Sequence, residues 1–232
     1  MIENIKSWSF SSLLSYEECP FRFYLKATGA ELPEREPTRG ELVHTMAEQY
    51  VRGELSELPK ELKKFAEQFE QDRELYAKGE LLLEEPWGFD RDLAPCSWEQ
   101  AWLRMKLDQL VLLDGDRALR VVDLKTGKRY GNELKHIQQG QLYMIGVFLR
   151  YPDASLVEVV FRYLDEGKES NKRVYTRRDM EKFLPRWLER ARAMTDNTMY
   201  KAKPNRITCR FCDYGVTNGS GACPYAVPWD AL

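Results

Sequence analysis

Two acidic residues and one lysine mark the stretch of the chain that is best suited to chemistry. Asp108 lies within a hydrophobic, β-prone run over 102–113, and Asp123 and Lys125 end a second such run over 117–125. Strands that read Val-Val-Asp-Leu-Lys normally lie inside a sheet, where charged side chains are rare unless they are paired or functional. We therefore predict that these three side chains belong to a functional site.

A tight turn connects the two runs. Residues 114–116 read Asp-Gly-Asp, and an Asp-Gly pair between alternating hydrophobic runs is a strong hairpin signal. If the loop comprises the last two of these residues, Asp108 lies opposite Asp123; if it comprises the first two, Asp108 lies opposite Val121. In both registers Asp108, Asp123 and Lys125 share one face of the hairpin.

Two carboxylates on one hairpin face repel each other unless a cation or a proton lies between them. Asp108 and Asp123 therefore predict a site for a hard divalent metal, and Lys125 beside them could bind a phosphate. Two alternatives are an exposed hairpin face that merely carries charge and a structural ion pair between Asp123 and Lys125. The ion pair does not account for Asp108.

Composition excludes some classes of protein. The 232 residues are 43% hydrophobic, enough for one sizeable core, and a membrane-spanning run of about 18 apolar residues is absent. The first residues lack the apolar core of a signal peptide, so a cytoplasmic protein is expected. The net charge of −2 argues against indiscriminate coating of nucleic acid but allows a local basic groove.

The elements around the hairpin are predicted as alternating helices and strands. Their order indicates an α/β or α+β fold in which helices flank a mixed central sheet. The predicted helices are a short one capped by Ser11 or Ser12, then 39–52, 59–78, 132–150 and 176–197. The predicted strands are 80–85, 155–164 and one through 174–175, with loops over 28–38 and 86–97 and no regular structure from 201 onward.

Five cysteines are an odd number, and in a reducing compartment they favour metal ligation over disulfides. Cys209-x-x-Cys212 and Cys223 supply three thiolates near one end of the sequence, and Cys19 supplies a fourth near the other. Such a set suits either Zn²⁺ or an iron–sulfur cluster, and the spacing alone does not separate the two. Cys96 is interpreted as a spare thiol.

At this point the motifs resemble a known family, the PD-(D/E)XK nuclease superfamily, and within it the RecB-like branch that includes CRISPR-associated RecB-type exonucleases. The motifs follow the order of that family along nearly the whole chain. They are Ser11-x-Leu13 with Tyr16-x-x-Cys19-Pro20, Gly40-x-x-x-His44, Asp108, Asp123-Leu124-Lys125-Thr126-Gly127-Lys128, Gln139-x-x-x-Tyr143 and the C-terminal cysteines. Two departures are Leu107, where the superfamily motif has proline, and a longer spacing between Cys212 and Cys223.

The resemblance implies a restriction-endonuclease-like core and a metal site. His44, Asp108, Asp123 and the backbone carbonyl of Leu124 would hold Mg²⁺ or Mn²⁺. Such a metal lowers the pKa of bound water and offsets charge on the scissile phosphate. Taken alone, a histidine on an apolar helix face is more often a core residue, so the assignment of His44 as a metal ligand depends on the other motifs of the resemblance.

The resemblance also implies roles for side chains around the metal. Lys125 would orient or deprotonate the attacking water and stabilise the transition state. Gln139 and Tyr143, one helical turn apart, would contact the phosphate or the water network, although alone they could be ordinary helix-surface residues. Four basic residues are candidate DNA contacts, or else solvated charge: Arg22, Lys26, Lys128 and Arg129.

The domain organisation implied is a single nuclease domain over 1–232. Its core would cover about 39–200, and the segments 7–30 and 201–232 would be joined by a metal centre on Cys19, Cys209, Cys212 and Cys223. The resemblance implies a 4Fe–4S cluster at these cysteines, with Zn²⁺ as the alternative.

The function implied is a divalent-metal-dependent DNA exonuclease that hydrolyses phosphodiester bonds of DNA ends or single strands. Expected partners are DNA and a protein of a recombination, repair or CRISPR-adaptation complex, and no membrane. The alternatives are a structure-specific or restriction-like endonuclease and a non-catalytic DNA-binding or assembly subunit. The complete set His44, Asp108, Asp123 and Lys125 favours an enzyme, since a scaffold does not need it.

Overall fold

The computed structural model describes residues 5–32, 36–127 and 129–229, and the chain divides into two units. One unit comprises 1–36 with 186–232, and the other comprises 37–185. In chain order the strands are β1 (Leu81–Leu83), β2 (Pro86–Phe89), β3 (Pro95–Cys96), β4 (Leu103–Lys106), β5 (Gln109–Leu112), β6 (Ala118–Lys125), β7 (Leu156–Tyr163), β8 (Lys168–Glu169) and β9 (Arg173–Thr176). The α-helices are α1 (Phe10–Glu18), α2 (Pro20–Ala27), α3 (Arg39–Arg52), α4 (Ala66–Ala77), α5 (Glu133–Arg150), α6 (Arg177–Thr195) and α7 (Arg206–Arg210).

A mixed six-stranded sheet forms the centre of the unit 37–185. Its order is β1-β5-β6-β7-β8, and β9 also pairs with β7. β6 and β7 are parallel and are connected through α5, whereas the other pairs are antiparallel. Helices α3 and α4 contribute to the hydrophobic cluster on the Val122 and Leu124 face of β6, and α5 packs close to Val159 and Phe161 of β7. The predicted mixed sheet flanked by helices is thus confirmed.

The hydrophobic run over 102–113 was predicted as one strand, and this is wrong. It forms β4 and β5, which belong to different sheets: β4 pairs with β2 in a small sheet of order β3-β2-β4, and β5 pairs with β1 and β6. The chain changes sheets at Leu107 and Asp108. Both halves are β-prone and largely buried, so their hydrophobic pattern does not reveal the change of partner.

Several element boundaries also need correction. Ser9, rather than Ser11 or Ser12, caps α1, because Ser9 and Ser12 each accept a hydrogen bond from the other's backbone amide in a capping box. Residues Lys60–Phe65, predicted as the start of an α-helix, form a 3₁₀ helix before α4. The other predicted helices agree with α3, α5 and α6 to within a few residues.

Two segments that were predicted to be irregular contain regular structure. The predicted loop 86–97 contains β2 and β3. Gly88 of β2 lies so close to the neighbouring backbone that an added Cβ would be within 3.0 Å of the carbonyl oxygens of Cys96 and Ser97. The segment after 201 contains the short helix α7, which Asn205 caps through the backbone amide of Thr208. Among the described residues, none of the helices is long and apolar enough to cross a membrane.

A buried ion pair connects α4 to the central sheet. Asp72 Oδ2 accepts hydrogen bonds from Arg162 Nη1 at 2.7 Å and from Gln109 Nε2 at 3.1 Å. Burial raises the pKa of Asp72, against the opposing charge of Arg162. The Arg162 guanidinium also lies over the rings of Phe65 and Phe69, so its charge is enclosed by aromatic faces.

We expect Asp72→Ala to lower the free energy of unfolding by about 3 kcal/mol, because it removes the buried one of the two carboxylates that pair with Arg162 and leaves only the exposed Glu169. Urea denaturation followed by circular dichroism measures this loss. The control is Glu48→Ala, which removes the partner of Arg52 on the exposed side of α3 and should cost less than about 1 kcal/mol. Equal losses in the two variants would contradict the role assigned to the buried pair.

Candidate active site

The hairpin formed by β5 and β6 brings the two predicted aspartates together. Gln109 pairs with Val122 and Leu110 with Val121, so continuing this register places Asp108 opposite Asp123. This is the first of the two registers considered above. The turn agrees with it, because the Arg117 amide donates to the Asp114 carbonyl at 3.1 Å and the intervening Gly115 has φ of +55°.

Helix α3 brings His44 to this hairpin. Thr38 and Glu41 form a capping box at its first turn. A Cβ atom at Gly40 would lie 3.0 Å from the Thr126 hydroxyl, so glycine permits the close approach of α3 to the end of β6. His44 Nδ1 lies 3.3 Å from Asp108 Oδ1. Burial lowers the pKa of His44, but the hydrogen bond and charge of Asp108 outweigh it and the net shift is upward.

Asp108 lies where the chain passes from the small sheet to the central sheet. Its Oδ2 accepts a hydrogen bond from the Leu124 amide at 2.7 Å. Burial and the charge of Asp123 raise the pKa of Asp108, against the opposing effects of His44 and the Leu124 amide. The predicted repulsion between the two carboxylates is therefore present in the fold.

Helix α5 holds one oxygen of Asp123 and leaves the other without a hydrogen bond. Asp123 is 1% exposed, and its Oδ1 accepts from the Tyr143 hydroxyl at 2.7 Å and from Gln139 Nε2 at 3.3 Å. Its Oδ2 lies 2.6 Å from Lys125 Nζ but accepts no hydrogen bond from the described residues. This oxygen is therefore ion-paired with the Lys125 ammonium, and its remaining lone pairs could serve a metal ion.

The same helix orients Lys125. Its ammonium donates to Gln139 Oε1 at 3.0 Å and lies 5.7 Å from the centre of the Phe161 ring. Gln139 Nε2 in turn donates to the Tyr143 hydroxyl at 2.7 Å. Burial, together with the charge of Asp123, raises the pKa of Tyr143 well above its usual value, so its hydroxyl stays protonated and donates to Asp123.

Glu84 is a candidate ligand that the sequence analysis did not identify. It follows β1 with φ of +51°, and its amide donates to the Asp108 carbonyl at 3.2 Å. Ligand atoms of Glu84, His44 and Asp108 lie within 4.8 Å of one another, and this group could hold a metal ion. The available signal was an acidic residue directly after an apolar strand, as at Asp123. Glu84 also forms an ion pair with Lys106.

His136, near the start of α5, is a second residue that the sequence analysis did not identify. It is buried, its Nδ1 is 2.9 Å from the Tyr163 hydroxyl, and its ring stacks on Phe161 with centroids 5.3 Å apart. Burial and the nearby charge of Lys125 lower its pKa. His136 therefore supports the aromatic ring beneath the Lys125 ammonium.

The four basic residues that were predicted to contact DNA differ in their surroundings. Arg22 is paired with Glu18 and Asp213, so its charge is already balanced by acidic neighbours. Lys26 is exposed in the last turn of α2, and Lys128 lies outside the described residues. The Arg129 amide donates to Glu166 at 2.7 Å and its guanidinium lies over Tyr163. The DNA contacts at these four residues stay predictions. The role of the Leu124 carbonyl as a metal ligand also stays a prediction.

Four cysteines converge in the unit formed by the N- and C-terminal segments. Cys19, Cys209, Cys212 and Cys223 line one cavity, and the Lys203 amide donates to Cys19 Sγ at 3.4 Å. Burial raises the pKa of Cys223, and the nearby Cys19 and Cys209 raise it further. Cys96 is half-buried in β3 and does not line the cavity.

The fold and the site agree with the comparison to known families. The chain belongs to the PD-(D/E)XK nuclease superfamily, whose family model matches residues 7–216. The superfamily defines a nuclease of the phosphodiesterase class that uses divalent metal ions, and the His44, Glu84 and Asp108 group provides a place for one.

Comparison with individual proteins gives remote matches. None of the curated proteins matches the chain. The crystal structure of SSO0001 has 13% sequence identity and a TM-score of 0.48, covering 98% of this chain and 90% of that one. A protein with a provisional exonuclease name, from Eubacterium rectale, has 15% identity and a TM-score of 0.42, covering 88% of this chain and 92% of that one. Neither likeness adds to the family assignment.

We expect Glu84→Gln to weaken Mn²⁺ binding by at least about tenfold, the loss typical even for removing an outer-shell partner. The neighbouring Glu85→Gln is the matched control, since Glu85 is exposed and belongs to no ligand group among the described residues. Isothermal titration with MnCl₂ measures both. Equal affinities in the two variants would show that Glu84 is not a ligand.

Proposed function

We propose that the protein is a divalent-metal-dependent DNA exonuclease of the RecB-like branch, acting on DNA ends or single strands. The observation that supports this best is the convergence of Asp108, Asp123 and Lys125 on one hairpin face with His44 beside them. The motifs Gly40-x-x-x-His44 and Gln139-x-x-x-Tyr143 resemble that branch. A partner in a recombination, repair or CRISPR-adaptation complex is part of the same proposal.

The donor set fits Mg²⁺ or Mn²⁺. The group of His44, Glu84 and Asp108 supplies an imidazole nitrogen and carboxylate oxygens. Asp123 lies outside that group, and its Oδ2 forms an ion pair with Lys125. His44, Asp108, Asp123 and Glu84, with the Leu124 carbonyl, would hold the ion, and the imidazole favours Mn²⁺ somewhat. When bound, it lowers the pKa of a water ligand and offsets charge on the scissile phosphate.

The side chains around this position have distinct roles. Tyr143 and Gln139 hold Asp123 Oδ1, which fixes the orientation of the carboxylate and presents Oδ2. Gln139 also holds Lys125, whose ammonium orients the attacking water and stabilises the negative charge that develops on the phosphate. His136 maintains the ring of Phe161 beneath Lys125. Each role uses a contact present before substrate binds, so the site is preorganised.

Two alternative functions remain to be separated from an exonuclease. A structure-specific or restriction-like endonuclease would use the same chemistry, and it would cut a supercoiled circle, whereas an exonuclease requires an end. A non-catalytic DNA-binding or assembly subunit would not need the network that orients Lys125. A time course on end-labelled linear DNA and on supercoiled circles, with Mg²⁺ or Mn²⁺, distinguishes the three.

We expect Asp108→Ala, Asp123→Ala and Lys125→Ala each to slow cleavage of linear DNA by at least about a hundredfold, because each removes a ligand or the transition-state cation. Lys172→Ala, which alters an exposed lysine paired with Glu158, is the control and should retain activity. Initial rates with 5′-labelled DNA measure the effect. Activity at the wild-type rate in any of the three variants would overturn the site assignment.

A second part of the proposal is a 4Fe–4S cluster on Cys19, Cys209, Cys212 and Cys223. The support is the convergence of four thiols on one cavity, together with the resemblance of their arrangement to that of iron–sulfur nucleases of this branch. The ligands come from segments 190 residues apart in sequence, as the numbers of Cys19 and Cys209 show. Ligation would therefore stabilise a C-terminal segment that has little regular structure of its own. Phosphodiester hydrolysis requires no electron transfer, so the cluster would be structural.

Serine at any of these four positions should remove a broad visible absorbance near about 400 nm from protein purified anaerobically. Cys96→Ser is the matched control and should leave the absorbance unchanged, since Cys96 does not line the cavity. Elemental analysis accompanies the spectra. A colourless wild-type protein with about one zinc per chain would show that the centre is a zinc site.

A further inference from the structure

An exposed aromatic ring lies between the strand and the helix that carry the active-site residues, and an exposed leucine lies in the first turn of that helix. Tyr130 is 90% exposed and Leu134 is 77% exposed. Both values exceed those of the other large hydrophobic side chains among the described residues, of which Ile207 comes next at 70%. Tyr130 follows β6 by five residues, and Leu134 lies in the first turn of α5. Neither side chain is used in the chemistry proposed above.

The backbone that presents Tyr130 is held by hydrogen bonds. The Asn132 amide donates to the Arg129 carbonyl at 3.1 Å, which closes a β-turn with Tyr130 and Gly131 at its centre. Gly131 has φ of +85°, a value that favours glycine at the third position of a type II turn. The Arg129 amide donates to Glu166 at 2.7 Å. The ring is thus presented to solvent by a defined turn, which reduces the ordering cost of binding to it.

This turn is attached to the same aromatic side chains that support Lys125. The Arg129 guanidinium lies 5.9 Å from the centre of the Tyr163 ring, and the Tyr163 hydroxyl is 2.9 Å from His136 Nδ1. His136 stacks on Phe161, which lies beneath the Lys125 ammonium. His136 is buried, whereas Leu134 and Lys135 in the same helical turn are exposed. The turn that carries Tyr130 and the helix that carries Leu134 are therefore connected to the side chains around Lys125 through Tyr163 and His136.

We propose that Tyr130 and Leu134 bind unpaired bases of the DNA strand that enters the active site. This rests on the proposed nuclease function and names its substrate class, a single strand or a frayed end. The bases of a single strand offer flat apolar faces to an aromatic ring, whereas a duplex hides those faces in its own stack. Arg129 and Lys135 are neighbours of the pair in the sequence and can attract the phosphate backbone, whereas the carboxylates of Glu133 and Glu166 accept hydrogen bonds from the amides of Gly131 and Arg129.

The test measures DNA binding without cleavage, in EDTA. A single-stranded oligonucleotide and its duplex, each carrying one 2-aminopurine, are titrated with the wild type and variants, with fluorescence reporting stacking. Tyr130→Ala should weaken binding of the single strand by about tenfold, the loss expected for one base–aromatic stack, and should change duplex binding less than about twofold. Tyr130→Phe should bind like the wild type, because the ring does the stacking. Val174→Ala, at an exposed residue of β9, is the control.

Three results would overturn the proposal. They are wild-type binding of the single strand by Tyr130→Ala, an equal loss for single strand and duplex, and a loss in Tyr130→Phe as large as in Tyr130→Ala. If Tyr130→Ala instead leaves DNA binding intact but abolishes self-association in sedimentation, the pair binds a second copy of the chain and the proposal fails. A selective loss of single-strand binding in Tyr130→Ala would support this inference even if the wild type cleaved no DNA with Mg²⁺ or Mn²⁺. That absence of cleavage would refute the nuclease proposal alone.

Discussion

The repulsion between Asp108 and Asp123 is the constraint on which the site depends. The fold holds both carboxylates on one hairpin face, largely removed from water, and the pKa of Asp108 rises as a result of its burial and its neighbour's charge. Each carboxylate has a cationic or potentially cationic neighbour, His44 for one and Lys125 for the other. A divalent cation would offset the part of the repulsion that these neighbours do not. The two close charges therefore lower the stability of the metal-free fold and favour metal binding.

Much of the surrounding structure maintains this arrangement. The change of sheet at Leu107 and Asp108 places one carboxylate at the junction of β4 and β5, where Glu84 at the end of β1 also reaches it. On the other side of β6, the buried pair of Asp72 and Arg162 fixes α4 to the sheet, and Gln109 beside Asp108 joins that pair. The elements that carry the site are thus also connected by contacts outside it.

The sequence predicted the features that depend on local chemistry. The Asp-Gly turn and the period-two alternation placed Asp108, Asp123 and Lys125 on one face, and the predicted helix 39–52 coincides with α3. What it did not predict depends on tertiary contacts. Glu84 becomes a candidate ligand only because β1 pairs with β5. The change of pairing partner between β4 and β5 does not alter the hydrophobic pattern of the sequence, so that pattern could not predict it.

The most direct measurement of the central claim is the thermal stability of Asp108→Asn beside the wild type, with EDTA and with MnCl₂. A raised pKa means that folding disfavours the charged carboxylate, so the neutral isostere should unfold at a higher temperature than the wild type in EDTA. Mn²⁺ should then stabilise the wild type and have little effect on the variant. A variant that is less stable in EDTA and gains as much from Mn²⁺ as the wild type would contradict the account.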